Sequence, residues 1–261
     1  MIKTGEVILE GRGIAKYFGA LRAVDHIDIM FPERKITLLI GPNGSGKTTL
    51  LNCLTGIYRP ETGQVLYHGE DITGWPPHKI AKYLARTFQI PQPFPRLTVL
   101  ENLCLGIQDN PGEKIIRSFL KFNWLDKELE STQRAFDVMT LLNLDHLWDK
   151  PATELSGGQL KLLELGRALM TGATTILMDE PVGSINPVLA HLLFQHMINL
   201  RDKLGMTMVV VEHRLDLAVQ YADYAYCLED GKIACEGTPK EVVNDPKVIE
   251  AYTEIPMFVE E

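Results

Sequence analysis

A glycine-rich stretch near the start of the chain has residue types that bind phosphate. Residues 41–49 are GPNGSGKTT, and they fit the pattern G-x-x-x-x-G-K-[ST]. The fixed positions are Gly41, Gly46, Lys47 and Thr48. The apolar segment 35–40 before the stretch predicts a buried strand, and the segment after it has helical spacing that ends at Gly56. A strand, a glycine loop and a helix in this order make a chance glycine turn the weaker interpretation.

Such a loop turns consecutive backbone N–H groups toward one point at a helix N-terminus, where anionic oxygens bind. The sequence therefore predicts a site for a nucleoside triphosphate. We expect Lys47 to reach the β- and γ-phosphates and the Thr48 hydroxyl to ligate Mg²⁺. The predicted nucleotide contacts of the loop are Gly41, Pro42, Asn43, Gly44, Ser45, Gly46, Lys47, Thr48 and Thr49.

A second chemical group follows at the end of another apolar run, residues 174–180, whose sequence is TTILMDE. This is the Walker B arrangement, in which Asp179 holds Mg²⁺ through its hydration shell. Glu180 is placed to polarise a water molecule for attack on the γ-phosphate. A solvated acidic turn is the alternative, but it does not account for the phosphate loop upstream. The chain has no N-K-x-D motif for guanine recognition, which argues against a GTPase.

The string LSGGQ, residues 155–159, lies before Walker B and decides the class. It is the signature motif of the ATP-binding cassette (ABC) family, which the chain resembles over almost its whole length. Ser156 and Gln159 also have capping-box spacing, which leaves the helix N-terminus open to an anion. The resemblance implies that Ser156, Gly157, Gly158 and Gln159 cover the γ-phosphate of ATP held by a second subunit. Two cassettes then enclose two ATP molecules, and neither hydrolyses ATP efficiently alone.

The remaining family motifs occur in the expected order. The resemblance assigns adenine stacking to Phe18, with Tyr17 as the alternative. It makes Gln89 a sensor of Mg²⁺ and of the attacking water, and it gives His213 a contact with the γ-phosphate. Without this order, these would be a core aromatic, a surface glutamine and a structural histidine. The predicted catalytic residues are Glu180, His213 and Gln89, and the predicted Mg²⁺ ligands are Thr48, Gln89 and Asp179.

One position departs from the general family pattern, because Asn186 stands where the loop after Walker B usually ends in aspartate. Asparagine cannot act as a base, which argues against a direct catalytic role there. The Asn-Pro form resembles the branch that serves branched-chain amino-acid importers. The RTFQ motif, the 66 residues between Gln89 and Ser156, and the segment 245–252 resemble the same branch. Urea importers and lipopolysaccharide-export ATPases share much of this pattern and stay open as alternatives.

The elements that must position these residues predict an α/β fold. Segments 7–14, 26–31 and 65–68 predict strands near the start, and 207–212 predicts a strand after the helical stretch 189–204. Residues 91–154 have helical periodicity, with a capping box at 98–101, and Asp230-Gly231 is typical of a hairpin turn. We predict a P-loop NTPase (RecA-like) core with an N-terminal antiparallel β subdomain and an inserted α-helical subdomain.

We expect an ABC ATP-binding domain over residues 1–236, with the helical subdomain at about 90–160 and a short C-terminal extension at 237–261. Phe119, Phe122 and Trp124 could face a partner, although an apolar stripe more often packs in a core. The chain of 261 residues carries a net charge of −8, which argues against nucleic acid as the main partner. Its four cysteines lack C-x-x-C spacing and are expected to be reduced structural thiols.

No apolar run approaches a membrane span, and no signal-peptide core begins the chain. The resemblance therefore implies a peripheral ATPase subunit on the cytoplasmic face of the membrane, attached through permease subunits. Its partners would be a second cassette subunit, the permeases and, indirectly, a solute-binding protein, and its cofactors ATP and Mg²⁺. The predicted function is import of a small solute, with branched-chain amino acids favoured. The alternatives from other classes are a soluble cassette ATPase acting on DNA or ribosomes and a nucleotide-gated module without turnover.

Overall fold

The computed structural model describes residues 7–107 and 125–253. The strands are β1 (Val7–Phe18), β2 (Leu21–Pro32), β3 (Ile36–Ile40), β4 (Thr62–Tyr67), β5 (Glu70–Asp71), β6 (Leu84–Thr87), β7 (Thr175–Asp179), β8 (Thr207–Val211), β9 (Tyr224–Glu229) and β10 (Lys232–Gly237). The helices are α1 (Lys47–Leu54), α2 (Pro77–Ile80), α3 (Val99–Cys104), α4 (Leu125–Leu141), α5 (Gly157–Met170), α6 (Pro187–Leu204), α7 (Leu215–Ala218), α8 (Pro239–Val243) and α9 (Pro246–Thr253).

The strands form two sheets. The first is antiparallel, with four strands in the order β2-β1-β4-β5. The second has six strands in the order β10-β9-β3-β8-β7-β6. In this second sheet β9, β3, β8, β7 and β6 are parallel, and β10 closes one edge as an antiparallel hairpin partner of β9. The hairpin turns at Asp230 and Gly231, which both have positive φ, as a tight two-residue turn requires.

The middle of the parallel sheet is buried on both faces. All five residues of each of β3, β7 and β8 are buried, which explains their predominantly apolar sequences. Leu38 belongs to the same buried cluster as Phe194 of α6 on one face, whereas Leu39 belongs to a second cluster with Phe31 and Leu50 on the other. Because these strands are parallel, the loops at their carboxyl ends meet at one edge. That edge carries the phosphate loop, Asp179-Glu180 and His213.

The helical part of the chain is joined to the sheet through α3, α4 and α5. Helix α3 begins with a complete capping box between Thr98 and Glu101, as predicted. Leu103 and Leu163 are buried together in the core of this part. A bridge between Thr98 and Pro151 ties the two ends of the segment together. Phe119, Phe122 and Trp124, which we considered as partner contacts, lie outside the described residues.

The structure confirms the predicted fold class and corrects several boundaries. Strands β1 and β2 are 12 residues each, longer than predicted, because the turn between them takes only Gly19 and Ala20. The strand predicted at 65–68 is β4 at Thr62–Tyr67. Strand β6 was not predicted, because its four residues have neither alternation nor a long apolar run. No helix within residues 7–107 and 125–253 is long and apolar enough to cross a membrane.

Candidate nucleotide site

The phosphate loop connects β3 to α1 at the carboxyl edge of the parallel sheet. Gly46 caps the N-terminus of α1 with a φ of 101°. A Cβ at this position would lie 2.1 Å from the Ala23 carbonyl oxygen, so only glycine fits between α1 and β2. Helix α1 ends at Leu54 and Gly56 follows with a positive φ, which confirms the predicted C-terminal glycine.

Lys47 is a buried cation whose partners are neutral. The Lys47 ammonium donates to the carbonyl oxygens of Gly41 and Pro42, both at 2.8 Å. Lys47 as a whole is only 6% exposed. No carboxylate in the described part of the chain forms an ion pair with it, and burial lowers its pKa. A buried ammonium without a bonded anion fits the binding of a phosphate, which is a stronger acceptor than a carbonyl.

A cavity of about 330 Å³ lies against the loop and contains the space in which a nucleotide would bind. Phe18, Glu180 and His213 line it together with part of the loop. The loop residues on its wall are Asn43, Gly44, Gly46, Lys47, Thr48 and Thr49. Gly41, Pro42 and Ser45 do not line the cavity. Phe18 is 45% exposed at the cavity, whereas Tyr17 bonds Asp25 elsewhere, so the placement favours Phe18 as the adenine contact.

The three predicted catalytic residues lie in one hydrogen-bonded group. The Gln89 amide nitrogen donates to Glu180 Oε2 at 2.7 Å, and His213 Nε2 lies 3.1 Å from Glu180 Oε1. Burial lowers the pKa of His213, and the neighbouring Lys47 lowers it further. The imidazole is therefore neutral near pH 7 and donates through Nε2–H. Glu180 itself has a φ of 48°, a conformation that only a tightly determined turn holds.

Asp179, the predicted Mg²⁺ ligand, is buried and forms an ion pair with Arg86 at 3.2 Å. The same guanidinium donates to Asn52 of α1, so it links Walker B to the helix that follows the phosphate loop. Arg86 was not singled out from the sequence. Its signal was its place in the RTFQ motif, three residues before Gln89. The carboxylate of Asp179 and the hydroxyl of Thr48 are hard oxygen donors, which fits the ligand preference of Mg²⁺.

The signature residues lie away from this cavity. The capping box is present as predicted: Ser156 Oγ accepts from the Gln159 N–H, and Gln159 Oε1 accepts from the Ser156 N–H at 2.8 Å. Gly157 faces open space, whereas Gly158 packs closely against Leu189. None of these signature residues lines the cavity of its own phosphate loop. This separation is compatible with the expected contact to ATP on another subunit.

Lys161 is a functional candidate that sequence reasoning missed. It lies on α5 one turn after the signature, is 7% exposed, and donates to the carbonyl oxygens of Gln89 and Glu180. The helix that carries the signature is therefore bonded directly to two predicted catalytic segments. A lysine among the leucines of the segment QLKLLELG was the available signal.

Glu212, at the end of β8, was also missed. Its carboxylate is 1% exposed and accepts from the backbone N–H groups of Val182, at 2.8 Å, and His213, at 3.3 Å. Burial raises its pKa to about 7. The Glu212 side chain therefore connects Val182, in the loop after Glu180, to His213, which is hydrogen-bonded to Glu180. A charged residue closing a buried strand was the signal in the sequence.

Asn186 has a structural account. It is the N-cap of α6, where its Oδ1 accepts from the Leu189 N–H at 2.9 Å, and Pro187 follows at the first helical position. Asparagine and aspartate serve this position equally well. The departure from aspartate therefore leaves the helix start intact.

A phosphate loop, Walker B and a neutral histidine at the carboxyl edge of a parallel sheet define a P-loop nucleotide-binding protein. The ABC transporter family model matches residues 24–183. The chain belongs to the ABC transporter family and is an ATP-hydrolysing cassette of that family. A second model, named Branched-chain amino acid ATP-binding cassette transporter, matches residues 232–253.

Similar proteins cover nearly the whole chain. One is the "Probable branched-chain amino acid transport ATP-binding protein LivG" of Archaeoglobus fulgidus, 45% identical over 94% of this chain and 95% of that protein. Another is the "High-affinity branched-chain amino acid transport ATP-binding protein BraF" of Pseudomonas aeruginosa, 34% identical over 94% and 97%. A crystal structure of the ADP conformation of an ATP-binding cassette is 44% identical, with a TM-score of 0.84 over 95% of this chain and 98% of that one.

Proposed function

We propose that this protein is the ATP-hydrolysing subunit of an importer for branched-chain amino acids. The observation that carries the proposal is the match of residues 232–253 to a family model of branched-chain amino-acid cassettes. Relatives named for the same transport align with 94% of the chain. The nucleotide site supports the ATPase activity, and the match of the C-terminal residues supports branched-chain amino acids as the cargo.

In this proposal the residues around the cavity divide the chemistry of hydrolysis. The Lys47 ammonium exchanges its carbonyl partners for the β- and γ-phosphates of ATP. Glu180 accepts a hydrogen from the attacking water, because each carboxylate oxygen retains a free lone pair while Gln89 and His213 hold it. His213 contacts the γ-phosphate. Asp179 and Thr48 would hold Mg²⁺, which neutralises charge on the phosphates when bound.

The placement of the signature supports a second cassette as partner. Ser156 and Gly157 are exposed, Gln159 is half-buried, and all three lie away from the cavity of their own chain. In a two-cassette assembly the N-terminus of α5 faces the γ-phosphate of the other subunit, where its N–H groups and dipole stabilise the anion.

The surface beside Gln89 supports permease subunits as further partners. Phe88, Ile90 and Phe94 are large apolar residues exposed around Gln89. Phe88 lines a groove of about 430 Å³ together with Leu105 and Arg167, and the Arg167 guanidinium lies over the Phe94 ring. A short helix of a permease packed into this groove would move with the Gln89 segment, and so with Glu180. The protein then acts on the cytoplasmic face of the membrane while attached to permeases that receive solute from a binding protein.

The test is the ATPase rate of the protein assembled with its permeases in liposomes. Leucine-loaded binding protein should raise the rate several-fold over the leucine-free binding protein. The matched comparison is urea, the cargo of a related branch. Stimulation by urea without stimulation by leucine would overturn the proposed cargo while leaving the ATPase in place. A rate that no loaded binding protein changes would overturn the transport role.

A further inference from the structure

The C-terminal helix α9 contacts the phosphate loop through one hydroxyl group. The Gly41 N–H donates to Tyr252 Oη at 3.1 Å, and the Tyr252 hydroxyl donates to the Gly41 carbonyl oxygen at 3.3 Å. The two residues are 211 positions apart in the chain. One tyrosine therefore satisfies both backbone polar groups of the first glycine in the loop.

Helix α9 is fixed well enough to act as a support. Val248 is 2% exposed and belongs to the main core, and the Tyr252 ring packs against the same core. The helix also follows α8, which starts with a capping box between Thr238 and Glu241. The Tyr252 hydroxyl is thus presented from a packed helix.

The Gly41 carbonyl oxygen is shared with the nucleotide-binding lysine. Lys47 Nζ donates to it at 2.8 Å while the Tyr252 hydroxyl also donates to it. Gly41 cannot shift far, since a Cβ on it would lie 2.1 Å from the Leu228 carbonyl oxygen. Neither Gly41 nor Tyr252 lines the nucleotide cavity. The tyrosine therefore supports the loop from behind and does not compete with phosphate.

We propose that Tyr252 is a positioning residue for nucleotide binding: its hydroxyl fixes the Gly41 peptide and so holds the start of the phosphate loop in a binding geometry. This gives the C-terminal extension a part in the nucleotide site. The proposal rests on nucleotide binding by the loop and is independent of the cargo.

The test is ADP binding by the full-length protein, measured by isothermal titration, for wild type, Tyr252→Phe and Tyr226→Phe. Tyr252→Phe keeps the ring and removes only the two hydrogen bonds. Tyr226→Phe is the matched control, because the Tyr226 hydroxyl makes the same pair of bonds to the N–H and C=O of Met30, outside the cavity. We expect Tyr252→Phe to weaken ADP binding about 3- to 10-fold, the range for one neutral hydrogen bond, and Tyr226→Phe to leave it unchanged.

Basal ATP hydrolysis by the same preparations gives a second readout. A positioning role predicts that Tyr252→Phe raises KM for ATP by a similar factor and leaves kcat within about 2-fold. Wild-type affinity in Tyr252→Phe, tighter binding, or equal weakening by Tyr226→Phe would each overturn the proposal. Absence of ADP binding by the wild type would instead overturn the nucleotide site itself.

Discussion

The buried carboxylate of Glu212 predicts a specific dependence of stability on pH. Glu212 is 1% exposed, and burial raises its pKa from 4.5 to about 7. A rise of this size corresponds to about 3 kcal/mol of preference for the neutral form in the folded protein. The folded protein therefore holds a proton that the unfolded chain releases as pH rises from 4.5 to about 7. Stability conferred by this group falls through that window and is constant above it.

Glu212→Gln removes the titration while keeping an oxygen that can accept from Val182. Relative to this variant, the wild type should lose about 1 kcal/mol of unfolding free energy between about pH 6 and pH 9, with most of the loss below pH 7.5. Urea unfolding of both proteins at each pH measures the difference. Glu70→Gln, which removes one negative charge from an exposed strand residue, controls for net charge. A wild type whose stability relative to Glu212→Gln does not change between pH 6 and pH 9 would show that the buried carboxyl is already ionised in the folded protein.

Three further predictions follow from the site and the core. Glu180→Gln should abolish ATP turnover but keep ATP binding, and its loss of charge beside the γ-phosphate should trap an ATP-bound dimer in size-exclusion chromatography; a monomer that hydrolyses at the wild-type rate contradicts the assignment. Lys47→Ala should weaken ATP binding to the monomer, whereas Ser156→Arg should leave that affinity nearly unchanged and block dimer formation; equal losses in a titration would place the signature in its own chain's site. Phe194→Ala should lower the unfolding free energy by about 3–5 kcal/mol, since Phe194 is fully buried and stacks on Tyr221; a loss below about 1 kcal/mol in urea unfolding would contradict this packing.

The sequence specified the main elements because their local signals agree with their surroundings. Strands β3, β7 and β8 are buried on both faces and so are predominantly apolar. The capping boxes at Thr98 and Ser156 are local patterns of four residues and were found where predicted. The loop motif and Walker B fall at the carboxyl ends of parallel strands, which brings them to one edge.

Other features depend on contacts that no local pattern records. The four residues of β6 carry no strand signal of their own. They form a strand because they pair with β7. The bonds from Lys161 to Gln89 and from Tyr252 to Gly41 join segments far apart in the chain. The position of Lys161 among the leucines of α5 was the local hint of a special environment. The roles of the predicted nucleotide and Mg²⁺ contacts stay predictions until they are tested by substitution.

The most direct test of the proposed function is uptake of labelled leucine into liposomes that contain the complete transporter, with leucine-loaded binding protein outside. For the uptake assay, ATP is enclosed in the liposomes. For the matching hydrolysis assay, the transporter is placed in nanodiscs, where the ATPase subunit is exposed to the medium. We predict ATP-dependent accumulation with the wild type and none with Glu180→Gln, although the variant still assembles and binds ATP. Equal leucine accumulation by both proteins, or none by the wild type in a transporter that hydrolyses ATP, would contradict the account.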